Sequence, residues 1–362
     1  MEQQPRIIAT VINDVVYDQR MIRICSSLSS NYNVLLLGRE KSEALTKQQV
    51  FKQKRLKFLL KKGPLFYLVY NIRVFFYLIF ARYDIVHAVD LDTLPAGFFA
   101  TKLRGKKLVY DAHEYFTEVP ELINRPKVQN VWLTIEKFII PKIKYAITVG
   151  GEIAKEYEKK YNVPFVVVRN CPVLIEQEMS TKSGAYLLYQ GALNKGRGLE
   201  ALIEAMQEID IPLKIAGSGD LDEELKRLVD NFNIAEKVEF LGLLEPSQLP
   251  ELTQNAFAGI NVSENLGLSY YYSLNNKYFD YIQAGLPSIT NPFPEYVALN
   301  NEFECCVFAN ANATEIAASV KLLLNDASLY TSLKKNCLLA RQHLTWQLEE
   351  KKLITLYEAV TK

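Results

Sequence analysis

The chain has 362 residues, enough for two domains of ordinary size, and its 49% hydrophobic and 23% charged content is that of a globular protein. A formal net charge of +1 argues against nucleic acid as a partner, since that calls for a clearly basic domain. Five cysteines, odd in number and without CxxC spacing, fit reduced thiols in the cytoplasm, and MEQQPR leads straight into a strand rather than a signal peptide.

Apolar runs then alternate with helical patterns, the mark of parallel α/β architecture. Strands are expected at 6–12, 33–39, 84–90, 107–114, 146–150 and 165–170, with helices at 14–30 and around 128–144. The segment CPVLIEQEMSTKSG loses this rhythm. Domains are therefore expected at 1–172 and 185–340, with a linker at 173–184 and a closing helix at 341–362. The second series has strands at 186–191, 213–217, 238–242, 258–262 and 288–290, and helical patterns at 313–324 and from 328 to the end. In such sheets ligands sit at the carboxyl ends of the strands.

The stretch 257–292 carries the strongest chemical signal. A buried strand ends in Ser263-Glu264, an aromatic loop follows, Asn275 offers an N-cap, and a helix over 276–284 stops at Gly285. Lys277 and Asp280 share a face of its first turns. A helix N-terminus beside a lysine attracts phosphate, and an acid one turn on can accept hydrogen bonds from a sugar. The stretch suits a nucleotide diphosphate. Upstream, YQGALNKGRGLEALIEAM closes a strand at Gly191 and opens a helix after Lys195 and Arg197, a second phosphate-binding design or else an ordinary glycine-rich turn. In IAGSGDLDEEL, Gly217 and Gly219 follow a strand, where close packing of the turn explains them equally well.

Taken in order, YQGALNKGRGLEALIEAM, LKIAGSGDLDEEL, VEFLGLLEPSQLPEL and NNKYFDYIQAGLPSI resemble the retaining glycosyltransferases of family 4, and DIVHAVDLDTLPAG and KLVYDAHE are similar to that family's acceptor-side strands. The resemblance implies a GT-B fold, two Rossmann-like domains facing across a central cleft. It implies sugar transfer with retention from a nucleotide diphosphate sugar to a glycan or lipid-linked glycan, in surface polysaccharide biosynthesis, with no metal and no other cofactor. Arg197 and Lys277 match the pair that grips the donor diphosphate, with Gly191 and Gly217 beside them. Asp280 matches the acid on the ribose, and Glu264 the acid near the transferred sugar. His113 matches a histidine beside the reacting sugar, with Asp111 and Glu114 on the acceptor side. The chain departs from the family pattern in having Asp at 280, a longer spacing from Glu264 to Asp280, Ala192 in place of a basic residue, and no glycines in NDVVYDQR. A nucleotide-sugar epimerase of similar fold and a catalytically silent nucleotide-sugar scaffold are the alternatives. The first would act on the donor with no acceptor present.

Other features have plainer explanations. Asp90-Leu91-Asp92 spells a DxD metal motif but follows a strand, where a polar strand end is expected. His87 reads as a core histidine and His343 as a surface one. Residues 44–83 hold nine basic residues and no acid, and end in the apolar run GPLFYLVYNIRVFFYLIFA. Two explanations compete for this stretch: a solvated loop and a buried helix, or a surface on an anionic bilayer at the inner membrane face.

Overall fold

The structure, a computed structural model, describes residues 4–16, 18–40, 48–174 and 184–362. Most of the expected linker and the first four residues of the basic stretch lie outside the described residues. The chain forms two compact units, Met1–Asn170 with Glu349–Lys362, and Cys171–Leu348.

The first unit holds seven strands: β1 (Arg6–Thr10), β2 (Asn33–Arg39), β3 (Lys52–Leu56), β4 (Ile85–Val89), β5 (Lys107–Ala112), β6 (Tyr145–Thr148) and β7 (Val166–Val167). They pair in the order β3-β2-β1-β4-β5-β6-β7, every pair parallel. The second unit has β8 (Leu187–Gln190), β9 (Leu213–Ala216), β10 (Val238–Gly242), β11 (Ala258–Asn261), β12 (Ser288–Thr290) and β13 (Cys306–Phe308). Their order β10-β9-β8-β11-β12-β13 is again wholly parallel. Both are doubly wound sheets whose order reverses once, beside β1 and β4 in one and beside β8 and β11 in the other. Central strands covered on both faces are mostly apolar, and all five residues of β4 are buried, its one polar residue His87 being hydrogen-bonded.

The expected strands and helices are present, the helix expected at 14–30 shortened to Gln19–Leu28 and the strand expected at 165–170 to Val166–Val167, with three further differences. β3 (KQKRL) is an edge strand, so only its inner side is buried, and four polar residues in five hid it from a search for apolar runs. β13 spans three residues, too few to show a period. The helical pattern from 328 onward is two helices, Ala327–His343 and Trp346–Thr361. The break falls at Leu344 and Thr345, where the Trp346 N–H donates to Pro172 O at 2.8 Å.

The apolar run after the basic stretch is the helix Pro64–Phe80. Phe66, Tyr70, Val74 and Leu78, four apart, form one buried stripe that packs with Ile8, Leu37 and Val86 of the sheet. Tyr70 also donates its hydroxyl proton to Val11 O at 2.8 Å. Leu65, Leu68, Ile72, Phe76 and Phe80 on another face are exposed. Among the described residues no helix is long and apolar enough to cross a membrane.

Candidate active site

In the second unit a cavity of about 450 Å³ opens at the carboxyl ends of β8, β9 and β10, beside the point where the strand order reverses. Its rim begins with bare backbone. Gly217 has φ +154°, and a Cβ there would lie 1.8 Å from Gly191 O, so only glycine lets these two strand ends meet. Their amides are engaged in the sheet, Gly191 N–H to Ala216 O at 2.9 Å and Gly217 N–H to Gly242 O at 2.8 Å. Leu243, Leu244 and Leu249 supply the apolar lining after β10.

The cations come from two further segments. Arg197 rides a loop with Gly196 at φ +82° and Gly198 at φ +66°, and donates from Nη1 to Asn275 Oδ1 at 3.3 Å. Lys277 stands in the first turn of the helix Asn276–Gln283, nearly buried, its Nζ 3.9 Å from the centroid of the Tyr189 ring. Burial, and next the charge of Arg197, push the Lys277 pKa well below the usual lysine range. A buried ammonium beside a guanidinium is a poor arrangement for an empty site and a good one for a dianion. Asn275 does occupy the N-cap position, but its side chain does not cap. Its Oδ1 takes Arg197 and its Nδ2 donates to Asn261 Oδ1 at 3.3 Å. The first turn of the helix therefore meets the cavity without a side-chain acceptor in the way.

Asp280 lines the same cavity, and Gln190 Nε2 donates to its Oδ2 at 3.2 Å. Gln190 is itself fixed by Thr253, whose hydroxyl donates to its Oε1 at 2.9 Å. Glu264 does not line the cavity. Its backbone N–H donates to Gly196 O at 2.9 Å, which sets it beside the Arg197 loop. Gln190 and the Arg197–Asn275 contact escaped the sequence analysis, since a polar residue ending a strand has no period to mark it.

In the first unit a second constellation surrounds Asp111, at the end of β5 and fully buried. Arg20 Nη2 donates to its Oδ1 at 3.0 Å, while His113 Nε2 and His87 Nε2 approach its Oδ2 at 2.9 and 3.2 Å. Facing a carboxylate, His87 Nε2 must carry the proton, so its Nδ1 accepts from the Tyr357 hydroxyl at 2.7 Å. Burial alone would raise the Asp111 pKa, but Arg20 and His113 outweigh it and hold the group well below the usual carboxylate range. His113 shows the reverse balance: burial opposes its charge, Asp111 and Asp90 favour it, and its pKa rises to about 9. Its backbone N–H also donates to Asp90 Oδ1 at 2.8 Å. Glu114 is exposed.

Asp90 has a left-handed backbone, φ +55°, a conformation that costs a non-glycine residue about 1 kcal/mol or more. Burial, only partly offset by His113, lifts its pKa to about 6. Asp92 is buried with no partner for Oδ1, and burial followed by the charge of Asp90 pushes it well above the usual range. The DxD pair thus begins the helix Asp90–Arg104. Among the described residues no three His, Cys, Asp or Glu side chains could together hold a metal ion.

The raised His113 value has a sign that can be tested. Between the ordinary histidine value of 6.5 and about 9, the folded state keeps a proton that the unfolded state has lost. Stability then falls as pH rises through this window, by roughly 3 kcal/mol at full linkage. Denaturant unfolding from pH 6.5 to 9 is expected to show this decline in the native chain and to lose most of it in His113→Gln. Equal slopes in the native chain and His113→Gln would refute the buried ion pair.

Two doubly wound parallel sheets in one chain, one with a pocket lined by Arg197 and Lys277 beside its reversal point, match the GT-B glycosyltransferase architecture. The chain matches the family model Glycosyl transferases group 1 over residues 174–339 and Glycosyltransferase Family 4 over residues 20–173, and it belongs to this glycosyltransferase family. Among solved structures it is similar to HepE from Anabaena in complex with UDP and glucose, at 13% identity and TM-score 0.80, covering 98% of this chain and 100% of that one. Sucrose-phosphate synthase from Thermosynechococcus elongatus matches at 16% identity and TM-score 0.79, over 99% of each chain. WaaG, a glycosyltransferase involved in lipopolysaccharide biosynthesis, matches at 14% identity and TM-score 0.70, over 97% of this chain and 99% of that one. None of the curated proteins matches the sequence.

Proposed function

We propose that the protein transfers a sugar, with retention of anomeric configuration, from a nucleotide diphosphate sugar to a glycan or lipid-linked glycan in surface polysaccharide synthesis. It works in the cytoplasm, peripherally at the inner face of the membrane, and needs no metal. The observation that carries this reading is Lys277, a buried amine whose pKa is pushed down by burial and then by Arg197, set at a helix N-terminus whose N-cap side chain does not cap. As the glycosidic bond breaks, charge builds on the departing diphosphate, and these three features stabilise it without reorganising. Gly191 and Gly217 let the nucleotide approach the backbone, and Asp280, aimed by Gln190, takes the ribose hydroxyls. Glu264 faces the transferred sugar. His113, kept charged by Asp111, donates a hydrogen bond to the sugar on the acceptor side, where Glu114 is also placed.

Calorimetric titration with UDP, GDP and ADP tests the donor assignment, with one of the three expected to bind well and its nucleoside poorly. Proton NMR of the product from the matching nucleotide sugar should show the donor's anomeric configuration. Binding of none of the three, or an inverted product, would overturn the reading.

A further inference from the structure

The helix Pro64–Phe80 has two apolar faces, of which the sheet covers only one. The outer stripe of Leu65, Leu68, Ile72, Phe76 and Phe80 recurs at helical spacing, with Phe80 83% and Phe76 54% exposed. Apolar side chains aligned like this mark an interaction surface, where scattered ones would mean nothing. At the carboxyl end of the stripe lies a groove of about 570 Å³ lined by Lys54, Leu56, Arg73, Phe76, Tyr77 and Phe80. Its two cations come from different elements, Lys54 from the edge strand β3 and Arg73 from the helix. Lys54 Nζ lies 4.5 Å from the centroid of the Tyr77 ring, and the Arg73 guanidinium stacks on Phe58 at 5.1 Å and donates to Lys57 O. No acidic residue occurs between 44 and 83, so nothing in this segment competes for these charges.

We propose that this groove holds the phosphate of an anionic phospholipid headgroup, with the outer stripe of the helix lying in the acyl-chain boundary. The inference rests on the membrane part of the proposed function and gives it a defined site. A groove that joins two cations to aromatic and aliphatic walls fits an amphiphile: charge at one end, hydrocarbon at the other. Phe76 belongs to both groove and stripe, so the headgroup site runs continuously into the apolar face. A soluble anion would use the cations and leave Phe76 and Phe80 in water. A bilayer uses both.

The full chain is tested by co-sedimentation with phosphatidylcholine vesicles, with and without phosphatidylglycerol. The native chain should prefer the anionic vesicles. K54Q/R73Q should lose at least about tenfold more of that preference than K61Q/K62Q, which removes the same charge outside the groove. F76S/F80S should lose the part of the binding that survives high salt. In F80W the new tryptophan should be quenched by brominated acyl chains. Thermal shift with whichever of UDP, GDP and ADP binds, unchanged in every variant, separates this result from the donor assignment, and circular dichroism checks folding. Equal losses in the two charge variants, or no quenching in F80W, would overturn the headgroup site. So would a thermal shift with inorganic phosphate that K54Q/R73Q abolishes while no vesicles are bound, which would mark a free-anion site.

Discussion

Lys277→Ala is expected to weaken binding of whichever nucleoside diphosphate the site takes (UDP, GDP or ADP) by about ten- to a hundredfold and to leave binding of its nucleoside almost unchanged, the loss of one charge-assisted phosphate contact in a desolvated place. The free protein should not suffer. Removing a buried ammonium that burial and Arg197 already disfavour takes away a cost, so the unliganded melting temperature is expected to hold or rise. There is a further signature. Above the depressed Lys277 pKa, a bound diphosphate restores the ordinary balance and the site takes up a proton. The measured heat of nucleoside diphosphate binding should then vary with the buffer's ionisation heat in the native chain and not in Lys277→Ala. Normal diphosphate affinity in this variant would show that the cavity beside Gly191 and Gly217 serves something else.

Asp111→Asn is expected to produce the largest loss of stability of any single change near His113. The neutral amide leaves the Arg20 guanidinium without its counter-charge in a buried position, a loss on the order of 3–5 kcal/mol. It also removes the main support for the His113 charge, so the pKa should fall from about 9 toward or below the ordinary histidine value. His113→Ala separates the two effects. It spares Asp111 and Arg20, and should cut turnover about a hundredfold or more while nucleoside diphosphate affinity stays near native. Should Asp111→Asn prove too unstable to assay, NMR titration of His113 in the native chain still reports its pKa. An Asp111→Asn protein as stable as the native one would refute the hub assigned to this carboxylate, and a native His113 pKa near 6.5 would refute its charge-holding role.

The parts of this fold that were legible in the sequence are those where one local pattern meets one environment. β4 and β8 are short, mostly apolar runs because both faces are covered, and Gly191, Lys277 and Asp280 follow strand and helix ends that composition alone marks. The site's supporting residues were harder to find. Arg20 lies in the helix Gln19–Leu28 and Tyr357 in the last helix, so their approach to Asp111 and His87 depends on tertiary packing over separations of 91 and 270 residues. His87 does sit in the core as expected, but hydrogen-bonded to the carboxylate that holds His113. The helix Pro64–Phe80 left two explanations open because it is apolar all round. Hydropathy cannot say which side a sheet will cover, and here the sheet covers one.

The contact between Gly217 and Gly191 O has a consequence for how such a pocket can change over generations. At that end the geometry is written in peptide, where a single methyl group would sit 1.8 Å from an oxygen, so no gradual series of substitutions leads away from it. After β10 the lining is Leu243, Leu244 and Leu249, side chains that can be exchanged one at a time with the backbone left in place. A saturation library of the pocket should therefore divide sharply, with near-total loss at Gly217 and a graded spread of nucleotide preference at the three leucines. The glycine end tolerates no side chain, and variation enters through the leucines.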